Sequence, residues 1–336
     1  MVRASDWDEL LAEFRALGGT ADNICLRDGV HGRGLFPVDP SKPVAIRIPE
    51  DLLIDTTDAT FVNGAFRVAP GSGAGSREKA FLESYENAYS WGGGGRSDME
   101  RLFAQAQALP QEIRHRLGSE FHCGDWFGEA TDAAMQARFI ESRCIRYKGR
   151  AVVMPIVELI NHGPGVPCST VDGVALSGSF QGEVLYKYSD FDPQGMFSMW
   201  GFVAEQPQAF SIALGGKIGQ NRAQVGRNLG GLSPTAQIWI PKSGVHEGTV
   251  QLQFLMIGNR QHPRSCKGVF YKIMRDAGVS GFEEGFDTIR HANRMHFLNL
   301  WAALEGVDGP MADSLRRMVR FQLQAMSYCY GVDDRV

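Results

Sequence analysis

The chain has 336 residues, of which 43% are hydrophobic and 21% are charged, and its net charge at pH 7 is −4. These values are typical of a globular protein with one large or two modest domains, and the length permits a sizeable core without disulfide or metal staples. The near-neutral balance argues against a nucleic-acid partner, which needs clustered Lys and Arg. No apolar stretch reaches the roughly 18 residues of a membrane span, and the N-terminal segment carries acids where a signal peptide needs an apolar core. We therefore expect a cytoplasmic protein without a membrane partner.

The reactive side chains exclude several common active sites. The six cysteines occur without a CxxC pair, and the eight histidines are dispersed. A structural zinc site usually shows paired ligand spacing, so we expect free thiols and no metal. The sequence also lacks the GxSxG, GxxxxGK[ST] and HExxH patterns of esterase-type hydrolases, P-loop proteins and zinc proteases.

The first half of the chain predicts short strands followed by helices. Apolar residues at helical spacing predict a helix over residues 7–17, which ends at Gly18 and Gly19. The pieces ICLRD, GLFPV and VAIRIP, separated by Gly and Pro, then predict a meander of short strands. After the segment PGSGAGSRE the apolar spacing becomes helical, and WGGGGRSD predicts a loop between two helices. A further helix is predicted over residues 133–143.

From Ala151 the β-branched character returns, which predicts an α+β fold of short β-sheets with a helical insert. We expect one domain over residues 1–215, with the insert at about 77–142, and a mostly helical domain over 216–336. We interpret the Gly-rich opening of the second domain, around GGKIGQ, as a linker. Two long helices near its end are predicted to pack as an antiparallel pair across the VDGP turn.

Four motifs occur in order along the first domain: HGRGLFPV with VAIRIPEDLLI, then ESRCI, then VVMPIVELINHG, and finally the tail from Gly182 to Phe202. In order and spacing they resemble the SET-domain methyltransferases, in the branch that includes the plant Rubisco large-subunit lysine methyltransferase. The resemblance covers about residues 20–212. The C-terminal helices match no motif, although they are compatible with the substrate-docking domain of that family.

The resemblance implies that S-adenosylmethionine is the methyl donor and that a lysine of a protein accepts the methyl group by direct displacement. In the family, the backbone of the opening loop and an Asn-His pair hold the donor, and an arginine after the helical insert joins them. The residues at the matching positions are His31, Gly32, Arg33, Arg143, Asn161, His162 and Phe202.

The acceptor side of the site departs from the family pattern. The tyrosine of the family's YGF step, which lies at the mouth of the transfer channel, is Trp200 here. An indole N–H only donates a hydrogen bond, although the indole face can hold a cation. Tyr188 matches the family's other tyrosine, and Glu158 falls where the family has an aspartate. The resemblance implies catalytic roles for Tyr188, Trp200 and Glu158, and places Ser142, Glu158 and Tyr186 at the substrate.

Other interpretations of these residues stay open in the sequence. Asn161 and His162 could end a strand in a turn with Gly163, and Arg143 could be a helix C-terminal charge that interacts with the helix dipole. Tyr186 and Tyr188 could be packing residues of one strand face. Two alternative functions also stay open: a donor-using enzyme with a small-molecule acceptor, and a donor-binding module without catalysis. The oligomeric state is not predicted.

Overall fold

The computed structural model describes residues 4–120, 124–165, 168–227, 242–246 and 248–327. It is a mixed α+β structure with short strands and several helices, which confirms the predicted fold class. The contacts divide the chain into two compact units: unit 1 comprises Met1–Arg101 and Ala130–Ser189, and unit 2 comprises Leu102–Glu129 and Asp190–Val336. These units alternate along the chain, whereas the predicted domains 1–215 and 216–336 are consecutive. That domain division stays a prediction.

The structure contains ten α-helices and eighteen strands among the described residues. The helices are α1 (Ala4–Ala16), α2 (Ser76–Tyr89), α3 (Arg96–Gln107), α4 (Gln111–Glu120), α5 (Gly124–Phe127), α6 (Asp132–Arg143), α7 (Pro193–Trp200), α8 (Ser265–Asp276), α9 (Gly285–Ala303) and α10 (Pro310–Ser327). The strands are β1 (Thr20–Asp22), β2 (Ile24–Gly29), β3 (Gly32–Pro37), β4 (Val44–Ile48), β5 (Ile54–Asp55), β6 (Ala59–Val62), β7 (Ala65–Val68), β8 (Cys144–Tyr147), β9 (Arg150–Val153), β10 (Asn161–His162), β11 (Val174–Gly178), β12 (Leu185–Tyr186), β13 (Gln208–Phe210), β14 (Leu214–Ile218), β15 (Asn221–Gly226), β16 (Lys242–His246), β17 (Thr249–Gln253) and β18 (Met256–Asn259). Among the described residues, no helix combines the length and the apolar character that crossing a membrane requires.

Unit 1 consists of small sheets covered by helices. Strands β1, β4 and β11 form one antiparallel sheet, β5, β9 and β8 form another, and β2–β3 and β6–β7 are hairpins. The short strands β10 and β12 pair in parallel, with Asn161 opposite Leu185 and His162 opposite Tyr186. Apolar residues alternate along β4, where Val44, Ile46 and Ile48 are buried. The predicted strands ICLRD, GLFPV and VAIRIP are confirmed as β2, β3 and β4.

The glycine run after α2 is more ordered than the predicted loop. Residues Trp91–Gly95 join α2 to α3 across a kink at Gly94, which adopts a positive φ of 135°. A Cβ atom at Gly92 would lie 1.9 Å from the carbonyl oxygen of Asn87. The run therefore serves close helical packing, for which glycine is required, instead of chain flexibility.

Unit 2 contains a sheet in a region that the sequence predicted to be mostly helical. Strands β14, β15, β17 and β16 form a four-stranded sheet, and β13 pairs with β18. The supposed linker GGKIGQ supplies β14, because the opposing strand β15 buries Ala223 and Val225 and so orders its partner. Helices α9 and α10 are antiparallel as predicted: Arg290 donates to the Met326 carbonyl oxygen at 2.9 Å, and Arg316 donates to the Leu304 carbonyl oxygen at 2.8 Å.

A buried carboxylate, Asp192, organises the core of unit 2. Its Oδ1 caps α7 by accepting the Gly195 N–H at 2.9 Å. Its Oδ2 accepts the Phe210 N–H at 2.9 Å, Arg227 Nη2 at 2.7 Å and Gln322 Nε2 at 2.6 Å. Asp192 therefore ties α7 to β13, to α10 and to the residue that follows β15.

We predict that Asp192→Ala lowers the free energy of unfolding by about 3–5 kcal/mol, because it leaves the partly buried charge of Arg227 without its counter-ion. Urea unfolding of the purified protein measures this change. The matched control is Asp287→Ala, which removes an exposed ion pair with Lys267 and should cost less than about 1 kcal/mol. Equal losses in the two variants would contradict the role of Asp192.

Candidate functional site

The segment VVMPIVELINHG leaves the strand conformation well before the Asn-His pair. Strand β9 ends at Val153, and buried Ile156 adopts φ 68° and ψ −58°, while the Val157 N–H donates to the Pro155 carbonyl oxygen at 2.7 Å. This is a γ-turn of positive φ, a strained conformation for a β-branched residue that costs about 1–3 kcal/mol. A short 3-10 turn, Val157–Leu159, follows it. The apolar run between β9 and Asn161 is therefore not one strand, because proline and the turn redirect the backbone.

The turn carries Glu158 into a buried cluster of polar side chains in unit 1. We define the Glu158 cluster as Tyr85, Glu86, Arg143 and Glu158. The Tyr85 hydroxyl donates to Glu158 Oε1 at 2.7 Å, and Arg143 Nε lies 3.1 Å from Glu158 Oε2. The Glu158 side chain has no exposed surface. Its charge is therefore compensated by one guanidinium and one hydroxyl, as a buried carboxylate requires.

Glu86, the neighbour of Tyr85 on α2, is fully buried, and neither of its carboxyl oxygens has a hydrogen-bond partner. Burial raises the pKa of Glu86 well above its ordinary value, and the nearby charge of Glu158 raises it further, against smaller lowering effects of Ser90 and Arg143. Burial likewise raises the pKa of Tyr85. Burial thus favours the protonated forms of Glu86 and Tyr85 beside the Arg143–Glu158 ion pair.

Asn161 joins three of the sequence motifs. Its Nδ2 donates to the carbonyl oxygen of Arg33 at 3.2 Å and to Glu183 Oε1 at 2.6 Å. The second oxygen of Glu183, Oε2, is buried without a hydrogen-bond partner. A Cβ atom at Gly34 would lie 2.4 Å from Glu183 Oε1 and 2.7 Å from Asn161 Nδ2. The opening loop, the Asn-His pair and the GEV segment therefore meet where glycine leaves just enough space.

Tyr188 lies against the segment before Asn161. Its hydroxyl donates to the Ile160 carbonyl oxygen at 2.7 Å, and its backbone N–H donates to His162 Nδ1 at 3.2 Å. Burial raises the pKa of Tyr188, so the phenol stays protonated. The hydroxyl proton is therefore directed at the backbone of Ile160.

His162 and Tyr186 complete the aromatic side of the site. The ring centroid of Tyr188 lies 5.2 Å from that of His162 and 4.7 Å from that of Tyr186. Burial lowers the pKa of His162, and the charges of Lys187 and His31 lower it further, so the imidazole is neutral at pH 7. Burial raises the pKa of Tyr186. These rings form a neutral surface beside the charged Glu158 cluster.

The remaining predicted residues of unit 1 lie in several positions. His31 and Gly32 are exposed at the turn between β2 and β3. The Arg33 guanidinium donates to the Tyr89 carbonyl oxygen. The Ser142 hydroxyl donates to the Phe139 carbonyl oxygen at 3.0 Å and accepts from Arg143 Nη1 at 3.2 Å, so Ser142 is engaged within its own helix end.

Trp200 and Phe202 belong to unit 2, whereas the other predicted site residues belong to unit 1. Trp200 is the last residue of α7, and its ring centroid lies 6.3 Å from that of Phe202 and 6.1 Å from that of Phe191. The chain reverses after it at Gly201, whose φ is 74°. Trp200 therefore has a well-defined aromatic environment within its own unit.

The contacts of Glu158 and Arg143 bear on their predicted roles, which stay predictions. The Glu158 side chain is fully buried; its Oε1 accepts from Tyr85, and its Oε2 forms an ion pair with Arg143 Nε at 3.1 Å. Arg143 is at the C-terminal end of α6, as the dipole interpretation requires, and its Nε is directed to Glu158.

Sequence reasoning missed Tyr85, Glu86, Glu183 and Gly34. Glu86 lies with Leu82 and Tyr89 on the buried face of α2, and a carboxyl at helical spacing within an apolar face is the signal that reveals it. Glu183 lies within the fourth motif but was not assigned a role. Gly34 follows the opening loop, and only its position in the HGRG motif marks it in the sequence.

Within the described part of the chain, no group of His, Cys, Asp and Glu is arranged to hold a metal ion. The cysteines described there are free thiols: Cys25, Cys144, Cys168 and Cys266.

No protein-family model matches the chain, and no curated protein matches it. Among solved structures, the chain is similar to Rubisco LSMT bound to AdoMet, with 12% identity, coverage of 99% of this chain and 92% of that chain, and a TM-score of 0.45. It is also similar to the SET domain of LSMT bound to lysine and AdoHcy, with 12% identity, 97% and 90% coverage, and a TM-score of 0.44. The chain is similar as well to Rubisco LSMT bound to sinefungin and monomethyllysine, with 14% identity, coverage of 98% of this chain and 90% of that chain, and a TM-score of 0.43. These values describe a distant likeness.

We predict that Glu86→Gln becomes progressively more stable relative to the wild type as pH rises from 4.5 to 8. Near pH 4.5, the ordinary pKa of the carboxyl, the unfolded chain begins to lose a proton that the folded protein keeps, because burial raises the folded pKa. Wild-type stability therefore falls by up to about 1.4 kcal/mol per pH unit until the folded pKa is reached, and the amide lacks this term.

Urea unfolding across the pH series checks this trend. Glu100→Gln is the control, since Glu100 is exposed and pairs with exposed Arg96 in the same unit. A stability difference for Glu86→Gln that stays constant with pH would show that Glu86 titrates normally.

Proposed function

We propose that this protein is a SET-type methyltransferase that uses S-adenosylmethionine and methylates a lysine side chain of a protein by direct displacement. The observation that carries the proposal is the position of Asn161. Its amide links the opening loop at Arg33 to the carboxylate of Glu183. Three motifs that are distant in sequence, and on which the family resemblance depends, thereby meet at one point.

The residues at this point fit the methyl donor. When bound, S-adenosylmethionine supplies a methyl group activated by a sulfonium centre and carries an ammonium group on its amino-acid tail. The buried, unpartnered Oε2 of Glu183 is the kind of acceptor that an ammonium group needs. The missing Cβ at Gly34 permits close approach to the backbone. Asn161, Glu183 and the backbone of Arg33 and His162 are the residues proposed to hold the donor, with Arg143 beside them.

Tyr188 is the proposed hydroxyl of the transfer step. Its hydrogen bond to Ile160 orients the phenol, and its oxygen can accept an N–H of the acceptor amine or a weak C–H contact from a polarised methyl group. An acceptor amine attacks only when neutral, and the proposed route for its proton is to solvent. Alignment and exclusion of water then supply much of the rate.

The effect of Trp200 on the channel mouth decides which acceptor we propose. If its indole narrows the channel mouth, as the resemblance implies, a slender acceptor or a small molecule becomes the favoured nucleophile. If it holds a methylated ammonium through cation–π attraction, protein lysine remains the acceptor. The two cases differ in the size of the labelled product, which an experiment can separate.

The expected result of incubating the purified protein with a cell extract and isotope-labelled donor is label on lysine residues of one or a few proteins, identified by mass spectrometry. Asn161→Ala serves as the inactive control, because it removes the amide that links the motifs. Label confined to metabolites below a few kilodaltons would favour the small-molecule alternative. Donor binding with no labelled product of any size would favour the non-catalytic module.

We predict that Gly34→Ala weakens binding of S-adenosylhomocysteine at least about tenfold, a loss of about 1.4 kcal/mol. The added methyl group cannot be accommodated without displacing Asn161 or Glu183. Calorimetric titration measures the affinity. Gly71→Ala is the matched control, since a Cβ atom there meets nothing within 4 Å. Unchanged affinity in Gly34→Ala would argue against a donor site at Asn161.

A further inference from the structure

The strained turn at Ile156 requires an explanation that the donor site does not provide. Ile156 is β-branched, fully buried and held at a φ of 68°. Such a conformation persists only where the surrounding structure over-determines it, and it occurs most often at functional sites. The segment that follows, Val157–Leu159, is a single 3-10 turn, in which Leu159 N–H donates to the Ile156 carbonyl oxygen at 3.1 Å. The turn at Ile156 and the 3-10 segment Val157–Leu159 therefore form one hydrogen-bonded piece of backbone.

Tyr85 contacts this piece at Glu158. Its hydroxyl donates to Glu158 Oε1 at 2.7 Å, which anchors the 3-10 segment to α2. Arg143 holds the other carboxylate oxygen from the end of α6. Helices α2 and α6 thus both contact this turn segment through the carboxylate of Glu158.

The turn at Ile156 also sets the position of the polar groups that follow it. The Ile160 carbonyl oxygen, two residues after Glu158, accepts the Tyr188 hydroxyl at 2.7 Å. Asn161 and His162 come next and pair in parallel with β12. A shift of Glu158 therefore displaces the acceptor of Tyr188 and the amide of Asn161 together.

We infer that Tyr85 is a positioning residue: through Glu158 it holds the strained turn at Ile156, and thereby sets the Ile160 carbonyl oxygen and the Tyr188 hydroxyl for methyl transfer. The inference rests on the proposed function for its last step only. Its structural step, the ordering of residues 156–162, is independent of any reaction.

The test compares Tyr85→Phe with Tyr147→Phe. Tyr147 is also a fully buried tyrosine of unit 1, and its hydroxyl faces Glu50 at 3.3 Å and accepts the Gly173 N–H, remote in sequence from the Ile156 turn. Each variant loses one buried tyrosine hydroxyl that faces a glutamate, and the measured global stability corrects for differences in overall destabilisation. Global stability is measured by urea unfolding, and local order by hydrogen–deuterium exchange of the amides of Leu159–His162.

In Tyr85→Phe we expect these amides to exchange at least about tenfold faster than in Tyr147→Phe, after correction for global stability. If the protein methylates, kcat should fall at least about tenfold with little change in the donor KM, because alignment and not affinity is lost. Glu158→Gln, which keeps an acceptor for Tyr85 but loses the charge opposite Arg143, should give a smaller rise in exchange and remains a test if Tyr85→Phe does not fold.

The outcomes separate the two proposals. Faster local exchange in Tyr85→Phe in a protein that binds no donor would support the positioning role and overturn the proposed function. Equal exchange in Tyr85→Phe and Tyr147→Phe, with kcat unchanged in an active enzyme, would overturn the positioning role and leave the proposed function intact.

Discussion

The buried charge of Glu158 is the constraint on which the arrangement of unit 1 depends. A carboxylate without exposed surface must find its counter-charge and its hydrogen bonds inside the protein, and removing either partner leaves the charge uncompensated. Tyr85 and Arg143 supply these partners from α2 and α6, the first and last helices of the predicted insert. The carboxylate therefore joins these two helices to the segment that leads into Asn161 and contains the strained turn at Ile156.

Two further carboxyl groups have oxygens without a hydrogen-bond partner, and their surroundings differ. Glu86 is fully buried and lies near Glu158, and both effects raise its pKa. Glu183 is only partly buried, its Oε1 accepts from Asn161 beside Gly34, and its Oε2 has no hydrogen-bond partner. An unpartnered oxygen in a closed core favours the protonated form of the carboxyl group, whereas one on a partly exposed residue is suited to a cationic ligand.

Much of this fold could be predicted from sequence, because most elements follow local patterns. Alternating apolar residues identified β2, β3 and β4, and helical spacing identified α1, α6 and the α9–α10 pair. Predictions were less accurate where long-range packing overrides the local signal. The glycines of Trp91–Gly95 pack closely where α2 joins α3, those of β14 are ordered by a neighbouring strand, and Ile156 adopts a φ that no β-branched residue prefers. The partners of Glu158 were missed for the same reason, since Tyr85 lies 73 residues away.

Helix α7 is closed at both ends: Asp192 caps its first turn, Pro193 begins it, and Gly201 ends it in a left-handed conformation. A Cβ atom at Gly201 would come within 3.0 Å of the Trp126 ring. The helix therefore has a fixed length of eight residues, and this length fixes the angular position of its last residue around the helix axis. Since each residue turns an α-helix by about 100°, inserting or deleting one residue between the two caps would rotate the indole of Trp200 by more than a quarter of a circle. Evolution within α7 is thus confined to substitutions if the direction of this indole is to be kept.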